Sequence, residues 1–191
     1  MTSIVGLTIG GDVFMGADSQ ATAGYERTIL AHSSPKVFKK EGVLFGVSGS
    51  MRAANHLEYT FQLPNPSRDQ SDEMSYVVQI VDAMRASFKD AGIARVSETV
   101  ESNGNDDGRS TILIGYRGRL FRVSSDWSIL ESDCPYQSIG SGSSYALGAL
   151  HVLYAIKLES DPFVMIETAL MAAAAFDIYT SAPFTFVGLS E

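Results

Sequence analysis

The sequence predicts an α+β domain with sheets packed against helical layers, and three observations predict it. Short apolar, β-branched runs come in pairs joined by glycine turns, longer stretches repeat apolar residues at helical spacing, and a strand–strand–helix–helix plan occurs twice. Ser3–Ile9 and Val13–Asp18 form the first hairpin around Gly10-Gly11-Asp12. Lys36–Lys39 and Val43–Val47 form a second around Glu41-Gly42. The segment Gly46-Val47-Ser48-Gly49-Ser50 then turns a strand sharply into a helix that ends before Pro64. Val77, Ile80, Val81, Met84 and Phe88 mark the next helix, with Ser71 or Asp72 as N-cap and Gly92 as stop. The polar, glycine-rich stretch 99–109 reads as an exposed loop within one domain spanning 1–191. Thr111–Tyr116, Leu120–Val123 and Ser128–Glu131 read as a meander. A helix covers Ser143–Ile156, another opens with Asp161 as N-cap and Pro162 at its first position, and Phe184–Leu189 is a closing strand.

Composition narrows the function. In 191 residues, 45% hydrophobic and 19% charged side chains are those of a globular protein, and no apolar run reaches the roughly 18 residues of a membrane span. A net charge of -8 argues against a nucleic-acid partner. Cys134 is the single cysteine, which excludes an intramolecular disulfide or a clustered-thiol zinc site. The start MTSIVG lacks the features of a secretory leader, so a cytoplasmic location is expected.

His32, His56 and His151 lie in no catalytic motif. The remaining base that works near neutral pH is an α-amino group, with a reference pKa near 7.7–8.0. Removal of Met1, which a small second residue permits, would place a hydroxyl and a free amine together on Thr2. Threonine at position two is common and does not by itself mark a nucleophile.

Context supplies the mark. The segment TSIVGLTIGGDVFMGADSQATAG resembles the start of proteasome β-type subunits and the related protease HslV, in which a mature N-terminal threonine opens the first strand. Asp18-Ser19-Gln20-Ala21-Thr22-Ala23-Gly24 matches their acidic residue followed by x-x-x-T-x-G, and Lys36-Val37-Phe38 matches their lysine-led strand. Phe45-Gly46-Val47-Ser48-Gly49 matches their glycine turn, Ile139–Gly148 is close to G-S-G-S-P-Y-A-L-G, and Asp177-Ile178-Tyr179-Thr180 resembles D-x-Y-S and I-Y-T. The elements keep their order over essentially the whole chain.

The resemblance implies a four-layer αββα sandwich of the N-terminal nucleophile hydrolase type, with Thr2 as nucleophile. Lys36 would support the developing alkoxide and Asp18 would keep Lys36 charged. The Gly46 amide would serve the oxyanion, and Ser141, Asp177 and Thr180 would orient the amine. Ala21, Phe45 and Gly46 would line the substrate pocket, Phe45 favouring apolar or small side chains over acidic ones. Ala174, Asp177 and Thr180 match a cation-binding turn in HslV, implying a structural monovalent ion such as sodium; no cofactor is required. Without the resemblance, Lys36 is one of four basic residues between 27 and 40 and reads as solvated, Asp18 is a turn former, Ser141 a helix-entry serine and Phe45 core.

Three functional readings follow. The first is a threonine endopeptidase assembled as a hexameric or heptameric, stacked homo-oligomeric ring, acting on peptides or unfolded protein fed by an ATP-dependent unfoldase. The second is a catalytically silent ring subunit, against which the joint presence of Thr2, Asp18, Lys36, Ser141 and Asp177 argues. The third is a small-molecule amidase of the same chemistry, distinguished by being a monomer.

Overall fold

The computed structural model of the chain describes residues 2–66, 72–94, 110–157 and 161–190. The first hairpin is β1 (Ser3–Ile9) and β2 (Asp12–Asp18), turning on Gly10 and Gly11 at φ of 65° and 95°. A small hairpin, β3 (Gln20–Ala23) and β4 (Glu26–Ile29), follows. Next come β5 (Val37–Lys40) and β6 (Val43–Ser48), then α1 (Met51–Tyr59), whose N-cap Ser50 accepts the Ala53 N–H. Asp72 caps α2 (Glu73–Asp90). The meander is β7 (Thr111–Tyr116), β8 (Arg119–Val123) and β9 (Ile129–Glu131). After it lie β10 (Tyr136–Gly140), α3 (Ser143–Ala155), α4 (Pro162–Phe176) and β11 (Phe184–Leu189). Asp161 caps α4 with Pro162 in its first turn. Met1, the alternative cap Ser71 and the predicted loop 99–109 lie outside the described residues.

Three strands were not expected from the sequence. The β3–β4 hairpin carries no apolar alternation, and all four residues of β4 are exposed. Tyr136–Gly140 mixes polar and apolar residues and forms a strand because β1 pairs with it, Ser3 opposite Gly140. That partner is more than a hundred residues away in sequence, so no local pattern reveals it.

Two antiparallel sheets, ordered β10-β1-β2-β11 and β5-β6-β7-β8-β9, make the middle of the molecule. Ile4, Val13, Met15, Leu44, Leu113 and Ile139 pack between them. Phe45, Ile80, Met84, Phe88 and Phe121 fill the layer beneath α1 and α2. Val5, Leu7, Leu150, Ile166 and Leu170 fill the layer beneath α3 and α4. The result is the helix–sheet–sheet–helix α+β sandwich. Truncating one of these fully buried side chains to alanine costs about 2–5 kcal/mol.

Candidate active site

Thr2 sits immediately before β1 and is buried. The pairing of β1 with β2 sets Ile4 opposite Ala17, which brings Asp18, at the end of β2, beside the first residues of the chain. Lys36 enters from the residue before β5, Ser141 from the turn between β10 and α3, and Asp177 from the C-cap of α4. Four chain segments far apart in sequence thus meet at one end of β1.

One side of the site is an ion pair. Lys36 Nζ donates to Asp18 Oδ1 at 2.8 Å and to the Gln20 carbonyl at 2.5 Å, and both charged side chains are almost wholly buried. Asp18 also accepts the Ser3 N–H on Oδ1 and the Gln20 N–H on Oδ2, each at 2.9 Å. Its charge is therefore held by backbone amides as well as by the ammonium, which is what a buried carboxylate needs. Burial lowers the Lys36 pKa below 10.5, the ordinary lysine value, and the attraction of Asp18 and of Asp177 only partly offsets it. The sequence-only reading of Lys36 as a solvated surface lysine is corrected by this burial.

The other side is a hydroxyl network. Ser141 Oγ donates to Asp177 Oδ2 at 2.7 Å, and Thr180 Oγ1 donates to the same oxygen at 2.7 Å. The Tyr179 N–H reaches Oδ1 at 3.2 Å. With its hydrogen committed to Asp177, Ser141 Oγ accepts the Thr2 N–H at 3.2 Å. A hydrogen-bond chain thus runs from the backbone nitrogen of Thr2 through a hydroxyl to a carboxylate. Gly140 makes room for it: at φ 98° it takes a conformation natural to glycine, and a Cβ there would lie 1.9 Å from the Thr2 carbonyl oxygen.

Two expectations are overturned by strand geometry. The Val47 N–H bonds the Lys36 carbonyl, so the alternation of a β-strand turns the Gly46 N–H the other way, towards β7, where Leu113 stands opposite. Gly46 is a ladder residue, unavailable to an oxyanion. It is also a packing glycine, since a Cβ would meet Ile4 Cγ2 at 2.7 Å across the sheet interface. Phe45 faces the opposite side, stacked on Phe38 at 5.7 Å within the α1–α2 core, so it is core and not a pocket wall. Any preference for apolar substrate residues that rested on Phe45 falls with it. The same alternation turns the Gly49 amide towards the Lys36 side, beyond the end of the ladder. Gly49 has φ 114°, and no backbone hydrogen bond from its N–H occurs among the described residues. Ala21 lies half-buried on β3, opposite Thr28.

Two residues of the site were missed. Ser3 is fully buried, and Gln20 sends its side-chain amide to the Ile178 carbonyl at 3.0 Å, tying the Asp18 segment to the turn after α4. Only their place beside Thr2 and Asp18 could have signalled them. At the implied cation turn, Asp177 spends its carboxylate on Ser141, Thr180 and Tyr179, and its carbonyl accepts the Thr180 N–H at 3.0 Å. Backbone carbonyls of the turn would remain for an ion, and such oxygen donors suit a hard cation. Among the described residues no cluster of His, Cys, Asp and Glu forms a metal site, and no helix is long and apolar enough to cross a membrane.

A sandwich of two sheets between helical layers is the proteasome-type architecture, and solved structures share this fold. Thiobacillus denitrificans BPH, solved in complex with epoxomicin, superposes with a TM-score of 0.77 at 21% identity, covering 100% of both chains. HslV from Trypanosoma brucei gives 0.66 at 18%, again over 100% of both chains. Anbu from Hyphomicrobium sp. strain MC1 gives 0.65 at 16%, over 98% of this chain and 80% of that one. At the level of sequence, the family model described as proteasome subunit matches residues 1–187. The chain belongs to the proteasome subunit family.

Proposed function

We propose that this chain is a threonine endopeptidase subunit in which Thr2, freed by removal of Met1, is the nucleophile. The observation that carries the reading is that two polar systems hold the first residues of the chain, the Ser141–Asp177–Thr180 network at the Thr2 N–H and the buried Lys36–Asp18 pair at the Ser3 N–H beside it. Thr2 Oγ attacks the scissile carbonyl carbon while its proton passes to the α-amine, which Ser141 orients. Lys36 supports the developing alkoxide charge. The Gly49 amide, in place of Gly46, donates to the tetrahedral oxyanion. Collapse expels the amine fragment, which takes up the proton, and leaves an ester on Thr2 that water hydrolyses. Peptide and water are the only reactants in this scheme. A monovalent cation on the carbonyls of the 174–180 turn would only brace the network.

Assembly into a hexameric or heptameric stacked ring of identical chains is supported by α3 and α4. Tyr145, Val152, Ile156, Met171 and Phe176 are all exposed there, a display suited to contact between copies. The same display weighs against a monomeric amidase. Unfolded protein, fed by an ATP-dependent unfoldase in the cytoplasm, is the substrate class such a chamber would take. The test is Thr2→Ala, which is expected to abolish hydrolysis of fluorogenic peptides while leaving the particle size unchanged on a sizing column. Activity retained in Thr2→Ala would overturn the mechanism, and a monomeric wild-type chain would overturn the ring.

A further inference from the structure

Ser3 stands between the two systems and touches both. Its N–H donates to Asp18 Oδ1, the oxygen that also receives Lys36 Nζ. Its hydroxyl lies 2.7 Å from Thr180 Oγ1, and neither group is accessible to solvent. Thr180 has already given its single hydrogen to Asp177, so the hydrogen of this contact belongs to Ser3. The direction of the chain is therefore fixed: Ser3 Oγ donates to Thr180 Oγ1, which donates to Asp177 Oδ2.

Gly142 is what lets this happen. A Cβ on Gly142 would lie 2.0 Å from Ser3 Oγ and 3.0 Å from Thr180 Oγ1. Here the glycine is needed for space and not for an unusual backbone angle, since its φ is -84°. The residue next to Ser141 thus forms a window through which the second hydroxyl of the mature chain reaches the carboxylate network.

We infer that Ser3 is a positioning residue that couples the Lys36–Asp18 pair to the Asp177–Ser141 network through Thr180, with Gly142 as the opening for its hydroxyl. The inference rests on the proposed role of Thr2. By holding the first strand at both its backbone and its side chain, Ser3 sets the Thr2 nitrogen against Ser141. By supplying a hydrogen to Thr180, it keeps Thr180 a donor to Asp177. Loss of the Ser3 hydroxyl leaves Thr180 Oγ1 with an unanswered lone pair and lets it rotate, which weakens the orientation of Asp177 without touching substrate.

The experiment is a kinetic double-mutant cycle on the processed, assembled protein with Ser3→Ala, Thr180→Val and the double variant, using a fluorogenic peptide. Ser3→Ala is expected to lower kcat about tenfold with KM within about twofold, because only the reacting groups are disturbed. The double variant is expected to be no slower than Thr180→Val alone. Gly142→Ala is expected to show the same loss of kcat, and the acid limb of the kcat profile, which reports the α-amine, is expected to move in all of these variants. Multiplicative effects of Ser3→Ala and Thr180→Val, or an unchanged kcat and pH profile in Ser3→Ala, would overturn the inference. With Thr2→Ala alongside, the two claims separate: activity that requires Thr2 yet ignores Ser3 refutes only the role of Ser3, whereas activity that survives without Thr2, or is absent from the wild type, refutes the nucleophile and this inference together.

Discussion

Asp18 and Asp177 are both buried carboxylates within the same cluster, and they are held by different partners. Asp18 is surrounded by an ammonium and backbone amides, donors whose position does not change easily. Two hydroxyls and one amide hold Asp177, and a hydroxyl can pass a proton and turn. One carboxylate is built to keep a charge still and the other to manage hydrogen positions around the Thr2 nitrogen. Residue type and burial are nearly the same at the two sites, so the division of labour comes from the neighbours.

The largest effect should come from breaking the ionic side. Lys36→Ala takes the buried donor from Asp18 Oδ1 and the Gln20 carbonyl and leaves the space of the lysine stem unfilled, which is expected to cost about 2–5 kcal/mol of stability in chemical unfolding. It also removes the alkoxide support and is expected to lower kcat by about a thousandfold. If Lys36→Ala kept its stability, the contrast between the two carboxylates would collapse. On the hydroxyl side, Ser141→Ala is expected to lower kcat about a hundredfold with little change in KM, and to cost far less stability than Lys36→Ala, because a single hydroxyl is lost.

The depressed pKa of Lys36 sharpens the comparison through pH. Below its native pKa the ammonium is charged in folded and unfolded chains alike. Between that pKa and 10.5 the unfolded chain holds more protons, so stability gains from this group as pH rises. In the same interval the ammonium that supports Thr2 is lost and activity falls. The alkaline limb of the rate profile is therefore expected below 10.5, at a pH where Lys36's own contribution to stability is rising. Peptide hydrolysis and unfolding measured across one buffer series would show it, and the limb is expected to be absent from the residual activity of a Lys36 variant. The smallest effect should be Thr180→Ser, which keeps the hydroxyl to Asp177 and is expected to leave kcat within about twofold.

Local patterns revealed the hairpins at Gly10-Gly11 and Glu41-Gly42 and the capped helices at Asp72 and Asp161, whereas the polar residues that cluster at Thr2 were legible only through the family resemblance. Strand β10 stayed hidden because its partner is β1, a pairing that only the closed fold makes. Phe45 and Gly46 were misread for a different reason. Their motif is a strand that ends in a turn, and whether an amide or a side chain faces the site depends on strand phase, which one hydrogen bond, Val47 N–H to the Lys36 carbonyl, decides. Among the described residues, that bond leaves Gly49 as the amide on the Lys36 side without a backbone acceptor. Ser3 was invisible because a serine after a threonine carries no pattern, and its role exists only through Gly142 and Thr180.

The most direct test of the central claim is treatment of the purified assembly with a threonine-directed epoxyketone followed by intact-mass measurement, since the adduct needs both the hydroxyl and a free amine on one residue. A mass lacking Met1 and raised by one inhibitor per chain, with no adduct in Thr2→Ala, is the predicted result. A chain that retains Met1 and takes up no inhibitor, or an adduct that persists in Thr2→Ala, would contradict the account.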